Sequence, residues 1–391
     1  MNLITTNDAL IEACEALKNN EFIAVDTEFM RETTYWPKLC LIQIAGQGIE
    51  FALDPLADGL DLKPMLDLMR DEKILKVFHA PRQDLEILYR LMNNKLPSPI
   101  FDTQIAAMAL GLGEQAAYDN LVMAMLGHHV DKSSRFTDWA RRPLTEAQIR
   151  YAIHDVTYLR DLFPLMIKKL DELGRKSWVL QEMEALSLLE SYDQTPTNAW
   201  KRMKPRKFST DYLAAFFAVT TWREWFAQEK DIPRSRALKD DAIFEIAEQR
   251  PKTLDAMEKL RAVPKGFARS KGGEALLEAL NEALESPEEF APKVHKPKPN
   301  PNGIGAIVEL LKVLLRAVSE ELEVAPRLIA TVSDLEAIAI NDEADCEALK
   351  GWRREVFGEK AIKLKHGEMG LSIQKRKVTM IEIMATSEDN Q

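Results

Sequence analysis

Phe22-Ile23-Ala24-Val25-Asp26-Thr27-Glu28 joins four apolar, β-prone residues to two acids one residue apart. Side chains alternate across a strand, so Asp26 and Glu28 at the end of this run share one face. Two carboxylates side by side repel each other unless a cation separates them. Downstream, Leu39 to Ala45 and Ile49 to Leu53 read as two further strands, with Gly46 and Gly48 marking a tight antiparallel turn between them. Leu62, Met65, Leu66 and Met69 then recur at helical spacing, Ile74 to Phe78 reads as a strand, and Asp84 to Leu91 as a helix. Phe101-Asp102 precedes an Ala-rich helix that runs to Leu110. A hairpin followed by strand–helix units predicts a mixed sheet flanked by helices, an α/β domain.

Two more acidic sites fall where such a fold can gather them. Asp84 stands six residues beyond a strand, near a helix start, where an acid also complements the helix dipole. Tyr151 and Asp155 are four residues apart and lie one above the other on a helix face. A hydroxyl beside a carboxylate is suited to holding a water molecule. Four carboxylates and a tyrosine make an oxygen-rich pocket of the kind that Mg²⁺ and Mn²⁺ prefer. Two such ions roughly 3.5–4 Å apart can clamp the attacking and leaving oxygens of a phosphodiester, one of them activating water and the other stabilising the leaving 3′-oxygen.

The chain has 391 residues, 46% apolar and 29% charged, with a net charge of -10. That composition excludes fibrous and disordered classes and predicts two or three domains. The acidity is uneven: residues 1–193 hold 20 Lys and Arg against 30 Asp and Glu, and the remainder is balanced. Cys14, Cys40 and Cys346 lie too far apart in sequence for a CxxC site or a disulfide framework, which fits a reducing cytoplasm. No apolar run is long enough to span a membrane, and the N-terminus carries acids early, without a signal pattern.

From about Leu159 strand signals almost vanish and helical periodicity takes over. Two stretches interrupt it: residues 193–208, with two prolines and five basic residues, and residues 291–303, with four prolines and three lysines. Read as linkers, they divide the chain into residues 1–192, 209–290 and 304–378. The second and third units look like diverged copies. Ile232-Pro233-Arg234 is followed by an acidic pair and a helix through Ala247, and Ala325-Pro326-Arg327 by Ser333-Asp334 and a helix through Ala339.

Val25 to Phe29, His79-Ala80 to Asp84-Leu85, and Tyr151 to Asp155 resemble the three exonuclease motifs of the DEDD superfamily, tyrosine subclass. Phe101-Asp102-Thr103 and the segment Thr137 to Leu144 narrow the resemblance to the ribonuclease D family. The two helical units resemble that family's HRDC domains, with Trp222-Arg223-Glu224 in the first and Gly351-Trp352-Arg353 in the second. The resemblance implies a ribonuclease H-like exonuclease domain followed by two all-α modules. It further implies a 3′-to-5′ exoribonuclease that releases 5′-mononucleotides and trims precursor tRNA. Carried over by position, it makes Asp26, Glu28, Asp84 and Asp155 ligands of two Mg²⁺ or Mn²⁺ ions, and Tyr151 the residue that orients the attacking water. The partner is then RNA with a free 3′ end, and the protein a cytoplasmic monomer. The alternatives are a DNA exonuclease of the same superfamily and a non-catalytic RNA-binding protein. Lys132, Arg135, Arg141 and Arg142 are candidate backbone contacts, with Arg82 a weaker one. Trp139 reads as core. Adjacent residues such as His128 and His129 do not face one site together, and His154 points about 100° around the helix from Asp155.

Overall fold

A computed structural model describes residues 3–294, 296, 301 and 303–383. Its centre is a six-stranded mixed sheet, ordered β1-β4-β3-β2-β5-β6, built from β1 (Leu3–Ile4), β2 (Phe22–Met30), β3 (Lys38–Gly46), β4 (Ile49–Leu53), β5 (Leu75–Phe78) and β6 (Ile100–Asp102). β2, β3 and β4 form the antiparallel meander, and β5 and β6 add in parallel to β2. Alternation along β2 divides its burden. Ile23 and Val25 pack against α1 (Asn7–Leu17), α2 (Lys63–Arg70) and α3 (Arg82–Leu91). Ala24 turns to the other core, which holds α4 (Thr103–Ala109), α5 (Tyr118–Leu126), α6 (Glu146–Glu172) and α7 (Lys176–Leu186).

The opening strand is longer than the apolar run predicts. Asp26 and Glu28 stand inside β2 rather than at its end, and the ladder with β3 slips at a bulge between Glu28 and Phe29. Pairing with the strongly apolar β3 carries the strand through its own polar residues.

The helical units repeat one order: a long helix, a single turn, then a medium helix. In the first these are α8 (Thr210–Glu229), α9 (Arg234–Ala237) and α10 (Asp240–Gln249), followed by α11 (Leu254–Glu258), α12 (Lys271–Glu285) and α13 (Pro287–Phe290). In the second they are α14 (Ile304–Leu322), α15 (Pro326–Ile329) and α16 (Val332–Ile340), followed by α17 (Gly351–Arg353) and α18 (Glu359–Lys365). The corresponding helices start differently: α16 on a capping box between Thr331 and Asp334, and α10 after Lys239 without a side-chain cap.

Three expectations need correction. The second unit is not wholly helical: β7 (Met369–Gln374) and β8 (Lys377–Glu382) form a hairpin that a boundary at residue 378 would cut. Lys375 and Arg376 both adopt positive φ at its tip, and the β-prone alternation on either side is too short to stand out from helical periodicity. Residues 193–208 are not a loose linker, because Pro196–Arg202 forms a 3₁₀ turn whose Trp200 packs on the core of the first unit. In the other proline-rich stretch, 291–303, residues 295, 297–300 and 302 lie outside the described residues. Nor are the boundaries contact-poor. The second unit shares one apolar core with α6 and α7, Trp178 stacks on Trp352 at 4.3 Å and 7°, and Ala325 N–H donates to Met108 O at 3.0 Å. Cys14, Cys40 and Cys346 are free and buried. Among the described residues no helix is long and apolar enough to cross a membrane.

Candidate active site

Asp26 and Glu28 project from β2 toward α6, whose capping box at Thr145 and Gln148 fixes where the helix starts. Six and ten residues into α6 stand Tyr151 and Asp155. Carboxylate oxygens of Asp26, Glu28 and Asp155 lie within 4.8 Å of one another, which makes them a group able to hold a metal ion. Asp84 is outside this trio. It sits in the first turn of α3, its carboxylate accepting a hydrogen bond from the Thr27 hydroxyl on the opposite face of β2 from Asp26. Its charge nevertheless reaches both Asp26 and Glu28.

The electrostatics are those of a buried, crowded acid cluster. Burial, and then the fields of Asp84, Asp155 and Glu28, hold the Asp26 carboxyl well above its ordinary range. Burial followed by Asp155 and Asp84 pushes Glu28 up to about 9. Burial raises Asp155 to about 7, against the opposing pull of Tyr151 and Arg135, and raises Asp84 to about 6. The Tyr151 phenol is driven upward by burial and by Asp155, so it stays protonated and can donate. Acids that resist ionisation together, with oxygen donors only, fit a hard divalent cation.

A supporting layer holds these groups. Tyr118 donates its hydroxyl to the backbone carbonyl of Asp155 and packs on His79 at 5.4 Å. His79 is hydrogen-bonded to Thr103 Oγ1 at 3.0 Å and Ala116 O at 3.1 Å. Asp102 accepts the N–H groups of Ala80 and Gln104, each at 2.8 Å, and so pins the positive-φ turn that leads into α3. Phe101-Asp102-Thr103 is thus scaffold for the loop that delivers Asp84. Sequence reasoning missed Thr27 and Tyr118. Thr27 was legible as the residue between the two acids, whereas nothing marked Tyr118.

The basic candidates separate. Arg135 is exposed, and its charge lowers the pKa values of Glu28 and Asp155. Arg142 is no free RNA contact: it grips Asp54 through two nitrogens at 2.7 and 2.6 Å and donates to Cys40 O and Trp139 O, both at 2.7 Å. Lys132 pairs with Asp119 at 2.7 Å. Arg82 donates to Ser191 O at 3.1 Å. Trp139 is core. His128 stacks on Tyr158, and His154 packs on the same ring, each at 5.5 Å; neither histidine belongs to the group formed by the acids.

The chain is similar to known proteins along nearly all of its length. Residues 1–171 match a 3′-5′ exonuclease family and residues 213–280 the HRDC domain family. The chain is 50% identical over 382 residues to a ribonuclease D of Nitrobacter hamburgensis, covering 98% of this chain and all of that one. It is 46% identical over 379 residues to a ribonuclease D of Gluconacetobacter diazotrophicus, covering 97% and 96%. Its fold is similar to the crystal structure of Escherichia coli RNase D, described as an exoribonuclease involved in structured RNA processing. That match has a TM-score of 0.82 at 29% identity and covers 94% of this chain and 99% of the other.

Proposed function

The chain belongs to the ribonuclease D family, and from that premise we propose which residues carry its activity and which RNA it takes. It is a 3′-to-5′ exoribonuclease that depends on divalent metal. Asp26, Glu28, Asp84 and Asp155 hold two Mg²⁺ or Mn²⁺ ions. The observation that carries this assignment is the convergence of Asp26, Glu28 and Asp155 oxygens within 4.8 Å, beside a tyrosine one helical turn from Asp155. When bound, the ions supply charge to the phosphodiester and acidity to water.

The protein's own part is positional. Tyr151, kept protonated, donates to the attacking water or accepts from it, and its neighbour Asp155 keeps the phenol in place. Arg135 stands at the edge of the acids, where a guanidinium can meet a phosphate next to the scissile bond. Thr27 and Tyr118 fix Asp84 and Asp155. The substrate is the 3′ extension of precursor tRNA, supported by the family and by the two helical units on the exonuclease domain. The enzyme acts as a monomer in the cytoplasm, and three buried free thiols support the reducing compartment.

A precursor tRNA labelled at its 5′ end and carrying a short 3′ trailer tests this. With Mg²⁺, stepwise shortening that halts near the mature end is expected, and a DNA oligomer of the trailer sequence should be cut far more slowly. A trailer left intact while unstructured RNA is degraded would contradict the assignment of precursor tRNA.

A further inference from the structure

Gln43 is a fully buried polar side chain in the middle of an apolar strand, Leu39-Cys40-Leu41-Ile42-Gln43-Ile44-Ala45. Among the described residues neither its Oε1 nor its Nε2 has a hydrogen-bond partner. An amide taken out of water without a partner is costly, and a leucine or methionine would fill the same space without that cost.

Its place in the sheet is specific. In the antiparallel ladder Gln43 pairs with Asp26, and residues directly opposite share a face. Ala52 is its partner on the other side. The neighbouring rows of that face are Leu41 opposite Glu28 and Ala45 opposite Ala24. Ala152 of α6 packs in the apolar cluster formed with Leu41 and Ala52. The polar side chains around the amide on that face of the sheet are Asp26 directly opposite, Glu28 in the next row, and Glu50, which pairs with Ala45 on the other edge; of these Asp26 alone is its direct cross-strand partner.

We propose that Gln43 is a positioning residue of the metal centre, whose amide hydrogen-bonds the Asp26 carboxylate when metal is bound and sets its orientation. This rests on the reading that Asp26 is a metal ligand. Ligating carboxylates are ordinarily held by an outer hydrogen bond, and losing that bond weakens metal binding without emptying the site. Asp84 has such a partner in Thr27, and Asp155 is anchored by Tyr118 through its backbone. Gln43 supplies the corresponding bond to Asp26. Without that bond the buried amide disfavours folding relative to an apolar side chain of the same volume.

That asymmetry gives a test on the full chain. Gln43→Met keeps the volume and removes the amide, and Gln43→Leu is a second variant. Calorimetric titration with Mn²⁺ alone, without RNA, is compared with thermal melting of the metal-free protein and with steady-state kinetics. Mn²⁺ affinity should fall about 10-fold or more, kcat should fall, and KM for RNA should change little. Metal-free Tm should stay the same or rise. Wild-type Mn²⁺ affinity in either folded variant would overturn the proposal. So would failure of both variants to fold, since an amide without a partner is not needed for folding. Asp26→Asn is titrated beside them. If it too binds Mn²⁺ like wild type, the metal-site reading itself has failed; if only the Gln43 variants do, this proposal alone has.

Discussion

Tyr35, seven residues beyond Glu28, donates its phenolic hydroxyl to Glu224 of the first helical unit. Glu224 is 1% exposed. Arg234 grips both of its oxygens at 2.7 Å and also donates to Tyr35, while Arg202 pairs with it from the turn before α8. Asp231 accepts the backbone N–H groups of Tyr35 and Trp36 at 3.1 and 3.0 Å. The loop leaving the strand that carries two of the clustered acids is therefore fastened to a different domain.

This fastening and the apolar core shared with α14 tie the exonuclease domain to both helical units. Tyr35→Phe leaves a buried carboxylate short of one donor and should cost about 1–3 kcal/mol. Trp352→Ala, which empties the stack on Trp178, should cost about 3–5 kcal/mol. Denaturant melting of the full chain measures both. Deleting residues 209–391 uncovers the core shared with α14 and should give an aggregation-prone fragment. A soluble fragment with wild-type stability would refute the shared core.

Arg142 and Arg135 make opposite predictions. Arg142→Met strands the buried Asp54 carboxylate and should cost about 3–5 kcal/mol, with RNA affinity of the folded protein unchanged. Arg135→Ala alters an exposed loop and should shift stability by no more than about 0.5 kcal/mol, while RNA binding weakens. Fluorescence anisotropy with labelled RNA, paired with melting curves, separates them, and the reverse pattern would contradict both roles.

Metal-free stability should fall as pH rises. Glu28, Asp155 and Asp84 have folded-state pKa values of about 9, 7 and 6, above their unfolded values. The folded protein thus holds more protons than the unfolded chain between roughly pH 4 and pH 9, and stability drops with pH across that window. Bound metal removes the penalty, so saturating Mn²⁺ should raise Tm more at pH 8 than at pH 5.5. Metal at 100 times its Kd adds about 2.7 kcal/mol. A metal-free protein more stable at pH 8 than at pH 5.5 would contradict the cluster's electrostatics.

Tyr151→Phe should lower kcat roughly 100-fold, since misplacing a reactant costs about that much, and leave RNA affinity nearly unchanged. Affinity lost with turnover preserved would make Tyr151 a substrate contact instead.

Much of this was legible in the residues. β-prone runs and their turn glycines gave the meander, and four-residue spacing put Tyr151 and Asp155 on one helix face. What escaped depended on partners distant in sequence. Arg142 looked like a surface cation because Asp54 lies 88 residues away. Residues 193–208 looked like a linker because proline and basic residues dominate them, yet Trp200 and Arg202 are anchored by α8. The hairpin of residues 369–382 was hidden by its short strands. Gln43 gave no signal, since one glutamine in an apolar strand acquires meaning only when Asp26 is known to lie opposite.

The central claim is that this acid cluster performs 3′-to-5′ hydrolysis. It is tested most directly by RNA labelled at the 5′ end in one reaction and the 3′ end in another, with Mg²⁺ or EDTA, using the wild type, Asp26→Asn and Asp155→Asn. The wild type with Mg²⁺ should give a descending ladder from the 5′-labelled RNA and immediate release of labelled mononucleotide from the 3′-labelled RNA. EDTA and either substitution should abolish both while circular dichroism shows a folded protein. Near-normal turnover by either variant at saturating Mg²⁺ would contradict the claim.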